Sequence, residues 1–196
     1  LAEWTAEDIV VFLKTGRNRH GATFGAMNGV VVHSTAQTED RDLAAIAAFL
    51  KTLGPPPGVP ARMFRYDDSV SRQLFAGETP TNGARIYVDR CAACHRTDGR
   101  GYAGVFPPLA GNPVLQGPDA TSIAHIILTG GRLPGVADAP SSLVMGSYRD
   151  VLDDQQVADL VTFLGQSWGN RGAAVTASQV AKIRLATKGQ KMPAGE

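Results

Sequence analysis

The string Cys91-Ala92-Ala93-Cys94-His95 constrains this chain more than any other feature. A C-x-x-C-H sequence is the attachment signal for c-type haem. Two thiols on one short turn reach the two vinyl groups of a single porphyrin and form thioethers with them. The residue that follows, His95, is then held beneath the iron as its proximal ligand. Other uses of these residues fit less well. A thioredoxin-like C-x-x-C needs a βαβ context, and no strand-rich pattern surrounds this one. A zinc site needs four ligands, whereas these are the only two cysteines and no H-x₃₋₅-H pair completes a set. A disulfide across so short a loop is strained. The chain is therefore expected to carry an iron porphyrin, covalent haem c, that the protein holds and tunes.

With 196 residues and a net charge of +1, there is room for one or two domains and no basic excess of the kind that marks a nucleic-acid partner. The longest apolar run, Ala44 to Leu50, has seven residues, against the roughly 20 that span a bilayer. No n-region, h-region and cleavage site opens the chain. Leu1 leads straight into a helix-like pattern, so a mature or truncated start is expected. Covalent attachment implies export, because bacterial c-type haem is ligated outside the cytoplasmic membrane. The periplasmic side of that membrane is the expected location.

A repeat organises the rest. Asp8 to Gly16 and Ser122 to Gly130 share a helical pattern ending in Thr-Gly, a helix stop. Asp42 to Leu50 matches Gln156 to Leu164, and both pairs are offset by 114 positions (Asp8 to Ser122, Asp42 to Gln156). A loop with a methionine lies between the members of each pair, Met27 in the first copy and Met145 in the second. The second copy follows a haem motif; the first does not. Residues 1–53 therefore read as the C-terminal half of a cytochrome c domain whose haem motif is missing. Residues 54–80, opening on Gly54-Pro55-Pro56-Pro57-Gly58-Val59-Pro60, read as a Pro-rich, semi-rigid linker that continues irregularly to Pro80. Residues 81–171 read as a complete haem domain, and 172–196 as a C-terminal tail. The fold class is all-α.

Within the haem domain, Thr81 or Asn82 can cap the helix that runs into the motif, and Asp153-Asp154 suit the start of the last helix. Met145 is the candidate distal ligand, in a Gly/Pro/Ser-rich loop 50 residues after His95. A thioether is a soft, neutral ligand that raises the potential of a His-ligated haem; the alternative is a gap-filling core methionine. His125 is the rival, placed mid-helix among isoleucines, and Met192 in the tail is a poor candidate. Met27 would serve a haem whose attachment motif is absent. With iron held on both faces, outer-sphere electron transfer follows more naturally than catalysis.

The strings Tyr87-Val88-Asp89-Arg90 before the motif, Phe106-Pro107-Pro108-Leu109-Ala110-Gly111-Asn112-Pro113 after it, and Ser167-Trp168-Gly169-Asn170-Arg171 closely resemble the tri-haem cytochrome c subunits of bacterial membrane-bound dehydrogenases. His20 to Thr35 resembles the end of that family's second domain, and residues 81–171 its third. The resemblance implies a cytochrome c fold whose first and last helices cross at a small residue, here Gly83 and Tyr87 against Leu160 and Phe163. It also implies a proline that packs on the haem and a backbone carbonyl that orients His95, assigned to Pro107 and Pro108 with Leu109 beside them. It further implies an electron relay. A catalytic subunit of pyrroloquinoline quinone or flavin type oxidises an alcohol, aldehyde or sugar acid. Electrons then pass through haems to ubiquinone or a membrane oxidase, with catalysis outside this chain. One haem motif instead of three points to a fragment or a degenerate relative. A free periplasmic single-haem carrier is the first alternative, and a haem enzyme or sensor with an open iron site the second. The tail, with Thr176 as a helix cap, is read as an extension past the fold that lies on a membrane surface or a partner, or frays.

Overall fold

Helix starts and stops in this chain are set by single residues, and the computed structural model, described over residues 3–54, 63–139 and 141–190, shows them in use. Helix α1 (Ala6–Thr15) opens on a Thr5–Asp8 capping box and stops at Gly16, whose φ of 72° needs glycine. A two-residue hairpin follows, β1 (Arg17–Asn18) with β2 (Gly21–Ala22). Helices α2 (Ala26–His33) and α3 (Asp40–Thr52) complete a first module, in which α1 packs on α3 through the buried Ile9, Leu43 and Ala47.

The second module starts earlier than the sequence indicates. Prolines 55–57 and 60 lie outside the described residues. The segment from Met63 onward, expected to be linker, instead packs on the haem domain. The Asp67 amide donates to the Trp168 carbonyl at 3.2 Å, and a Cβ on Gly169 would collide with the Arg65 carbonyl. Helix α4 (Ser69–Phe75) forms where an irregular stretch was expected, and it buries Leu74 at 5% exposure. The reason is local. Asp67-Asp68-Ser69, read as a turn, is the helix entry, with the Asp67 carboxylate accepting from the Ser69 amide at 2.8 Å.

Helix α5 (Asn82–Arg90) is capped by Thr81, not Asn82, and passes directly into the one-turn helix α6 (Ala92–His95). Helix α7 (Thr121–Thr129) ends at Gly130 (φ 73°). Strands β3 (Gly131–Arg132) and β4 (Val144–Met145) pair antiparallel, with Gly131 opposite Met145. Helix α8 (Asp154–Gln166) opens on an Asp153–Gln156 capping box. The expected crossing is present: a Cβ on Gly83 would collide with the Asp159 carbonyl of α8, so only glycine lets α5 and α8 approach this closely. Among the described residues, β structure is confined to two pairs of two-residue strands and two isolated bridges, Tyr102 with Phe106 and Val136 with Ala139.

The tail is a second correction. Helix α9 (Ala177–Ala186), capped by Thr176 with Gln179, docks on α7 and α8 and buries Val180 completely. Arg184 fixes it, donating to Asp154 at 2.6 Å and to the Leu152 carbonyl at 2.8 Å. Its apolar stripe is narrow, with Leu185 turned out at 73% exposure, so sequence periodicity under-reports a helix held largely by polar side chains. Met192 lies outside the described residues. No helix among these residues is long and apolar enough to cross a membrane.

Candidate haem-binding site

The cysteines and His95 sit on the tightest part of the chain. Helix α6 is a single turn, so Cys91 at its entry and Cys94 and His95 at its end face one region. The exit is sharp: Arg96 takes φ 64°, rare for a non-glycine residue. Three aromatic donors hold it there. The Tyr87 hydroxyl donates to the Arg96 carbonyl, the Trp168 indole to Thr97 at 3.1 Å and the Tyr66 hydroxyl to Asp98 at 3.1 Å. Tyr87 and Trp168 are themselves packed together and against Phe163, with ring centroids 5.2–5.7 Å apart. This cluster is how the α5–α8 crossing transmits its rigidity to the haem motif.

The loop after the motif folds back to meet it. Gly99 accepts from the Leu109 and Ala110 amides at 2.7 and 2.9 Å, and Gly101 is pressed so closely to the Phe106 carbonyl that a Cβ has no room. This brings the Pro107 carbonyl 2.9 Å from His95 Nδ1. A carbonyl only accepts, so Nδ1 carries the proton and Nε2 keeps its lone pair. Burial pushes the His95 pKa below the usual imidazole value despite the opposing Pro107 bond, favouring the neutral ligand form. Burial also pushes the Cys91 thiol up to about 12, with Cys94 adding to it. A thioether has no proton to lose, so this desolvation cost does not apply to a haem-linked sulfur.

His95 and Met145 line the same cleft, which forms two adjoining hollows of about 760 and 690 Å³, open mouths included. Cys91, Pro107, Phe24 and Ile126 line both hollows. Pro108, Leu109 and Leu164 wall one, and Cys94 and Arg132 the other. No Asp or Glu is among these residues. Met145 sits in strand β4 rather than in a loop, paired to β3. His125 is not among the lining residues. Met27 is not either: it lies at the start of α2, 53% exposed, and not in the expected loop. The run Ala26 to Val32 has no serine and forms a helix, whereas Ser141 and Ser142 precede the strand of Met145.

A porphyrin fits these residues. The walls are apolar, a neutral imidazole and a thioether are on offer, and the two thiols stand at the rim. Arg132 lines the cleft and its Nε is buried without a partner, a donor that a carboxylate of the porphyrin would satisfy. Sequence reasoning missed Arg132, Tyr66 and Phe24. It also missed the role of Asn170, whose amide bridges the Leu109 and Leu164 carbonyls and accepts from Gly111. Asn170 and Trp168 stood in a distinctive string, and Phe24 in the His20 to Thr35 segment that resembles the family's second domain, but no string pointed to their roles here.

Residues 80–168 match the cytochrome c family model. The chain is 46% identical over 186 residues to the gluconate 2-dehydrogenase cytochrome c subunit of Pantoea cypripedii, a match covering 94% of this chain and 42% of that protein. It is 42% identical over 187 residues to the cytochrome c subunit of the quinone alcohol dehydrogenase of Gluconobacter oxydans (strain 621H), covering 94% and 38%. It therefore spans about two fifths of the length of these curated relatives. A smaller protein, cytochrome c-552 of Thermus thermophilus, is 31% identical over 113 residues, 53% of this chain and 84% of that protein. The chain thus belongs to the cytochrome c family, with covalently bound haem c as its cofactor.

Proposed function

We propose that this chain passes single electrons through one haem c, held covalently by Cys91 and Cys94 and axially by His95 and Met145, as part of a cytochrome subunit of a dehydrogenase complex. The observation that carries the reading is His95 and Met145 on the walls of one largely apolar cleft with no carboxylate among the lining residues. Bound haem supplies an Fe(III)/Fe(II) couple. The chain's own part is to exclude water, to present Nε2 through the Pro107 bond and to offer a soft sixth ligand, which favours the reduced state. The relatives are named as cytochrome c subunits of dehydrogenases, which supports catalysis in a partner subunit. Met145→Ala tests the ligand set. The methionine-to-iron charge-transfer band at the red edge of the ferric spectrum should vanish, the potential should fall and carbon monoxide should bind the reduced protein quickly. A wild-type protein without that band would instead be an enzyme or sensor with an open iron site.

The partner follows from the relatives, whose names are those of cytochrome subunits of gluconate and quinone alcohol dehydrogenases. The donor proposed is a pyrroloquinoline quinone or flavin dehydrogenase acting on an alcohol, aldehyde or sugar acid on the periplasmic side of the cytoplasmic membrane. The acceptor proposed is ubiquinone or a membrane oxidase. Residues 1–53 are proposed as the C-terminal half of a neighbouring cytochrome domain, with Met27 as the ligand of its haem. Co-purification with a large dehydrogenase subunit, and reduction of the haem on adding that subunit's substrate, tests the placement. A chain that purifies alone and shuttles between proteins would be a free carrier.

A further inference from the structure

The first module does more than precede the haem domain: its hairpin and the residues after it hold strand β3, the partner of the Met145 strand, and the segment that leads into β4. Arg17 is 8% exposed, yet it forms no ion pair among the described residues, and burial alone pulls its pKa down. Its Nη1 donates to the Ser141 carbonyl at 3.0 Å, across 124 positions of sequence and four residues before Met145. Asn28 makes a second contact, its Nδ2 donating to the Arg132 carbonyl at 2.6 Å. The Thr23 hydroxyl, 2.8 Å from Asn28 Oδ1, fixes that amide's orientation. Arg132 is the strand partner of Val144, and Gly131 of Met145. Phe24 lies over Gly131, where a Cβ would be 3.9 Å from its own Cβ, and walls the cleft beside Met145 and His95. On the same side, a Cβ on Gly16 would meet Pro134 Cγ at 2.5 Å.

These contacts converge on one short element. A two-residue strand pair has little stability of its own, and the segment on either side of β4 is irregular. A buried guanidinium held only by a carbonyl is costly to desolvate, and the bond to Ser141 is lost if either partner moves. We propose that residues 17–28 are a brace for the Met145 strand, with Arg17 and Asn28 as positioning residues that set how firmly the methionine is held at the haem. The proposal rests on the reading of Met145 as sixth ligand. It makes the first module a determinant of the potential of the second module's haem: loosening the brace raises the fraction of molecules with Met145 detached, and detachment lowers the potential.

The test uses the holoprotein in five forms: wild type, Met145→Ala, Arg17→Gln/Asn28→Ala, Arg17→Lys, and Lys14→Gln. The last breaks the Lys14–Asp40 pair (3.0 Å) inside the first module and touches no brace contact. The double variant should lower the potential, weaken the methionine-to-iron band and speed carbon monoxide binding to the reduced protein by about tenfold, the scale of two lost buried hydrogen bonds. Arg17→Lys, which keeps a cationic donor, should recover part of this, and Lys14→Gln should change none of it. If Met145→Ala abolishes the band while the double variant leaves band, potential and binding rate as in wild type, the brace is wrong and the ligand reading stands. If Met145→Ala keeps the band, the ligand reading fails and the proposal with it. Should the double variant not fold, native-state hydrogen exchange on the wild-type holoprotein decides. The Thr23 amide (bonded to Gly16) and the Leu133 amide (bonded to Leu143) should open in one cooperative step, and separate openings would overturn the brace.

Discussion

The two copies of the repeat, residues 6–52 and 121–166, share their first and last helices in different company, with helix α2 in the first copy only. Each starts with a helix ended by Thr-Gly. Thr15 and Thr129 both turn their hydroxyls back to the carbonyl four residues earlier, at 2.8 and 2.9 Å, and Gly16 and Gly130 take φ of 72° and 73°. Each continues into a two-residue strand pair and closes with a 13-residue helix. Burial then diverges. Helix α8 hides Val157, Ala158, Leu160, Val161 and Leu164, all at 4% exposure or less, whereas α3 hides only Leu43 and Ala47. Ile46 and Phe49, the counterparts of Leu160 and Phe163, are 42% and 63% exposed. Among the described residues, α8 has α5 laid across it and α9 docked on it, whereas α3 packs on α1. Local sequence makes the helices; the crossing partner decides which of their faces are core.

The sharpest way to break this comparison is to count haems. The denatured holoprotein should carry the mass of one haem, and Cys91→Ala/Cys94→Ala should carry none and lose most of its folded population. A second haem on the wild-type chain would mean that the first copy is not the lesser one. A matched pair of truncations comes next. Leu160→Ala should cost about 2–5 kcal/mol in denaturant unfolding, through transfer and cavity terms. Ile46→Ala, at the corresponding position, should cost about 1 kcal/mol or less. Equal costs would show that the α3 face is covered within this chain. The helix entries give a smaller contrast. Asp153 caps α8 through the Gln156 amide at 2.8 Å, while Glu39 makes no such bond to α3. Asp153→Ala should lower stability by about 1 kcal/mol, and Glu39→Ala should stay within about 0.5 kcal/mol.

Features decided by one or two neighbouring residues were legible in the sequence. The glycine stops, the Thr81, Asp153 and Thr176 caps and the haem motif all follow from local chemistry; the Gly83 crossing came with the family resemblance. The Pro107 carbonyl at His95 was legible only through the family resemblance. Features that depend on distant partners were not. Helix α4 looks like a turn until Trp168 and Asp98 hold the segment around it. Helix α9 looks like a frayed tail until Asp154 and the Leu152 carbonyl take up Arg184. Phe24 at the cleft has no local signature, because the residues from Cys91 to Met145 that line the cleft with it are distant in sequence. Met27 starts helix α2 where a loop was expected, because a methionine between two matched helices looks the same on paper whether it starts a helix or sits in a strand.

The smallest expected effect belongs to the first module alone and separates its stability from that of the haem domain. Burial would push the Asp8 carboxyl up, but the Arg19 guanidinium, the Thr5 amide and hydroxyl and the His20 ring bond to it and hold it well below the usual carboxylate range. The folded pKa is thus depressed relative to an unfolded value of roughly 3.9. Below that value the unfolded chain binds a proton that the folded chain does not, so stability from Asp8 is present at neutral pH and is lost as pH falls toward the folded value. Asp8→Asn keeps an acceptor for the Thr5 amide and removes the titration. Unfolding of the first module, followed by Trp4 fluorescence (the ring stacks on His20 at 5.0 Å), should show a flatter acid limb below about pH 4 in this variant. The Soret band of the haem domain should report an unchanged one. A change of equal size at both probes would mean that the modules unfold together, and that the contacts of Arg17 and Asn28 bind them more tightly than the separate burial of their helices implies.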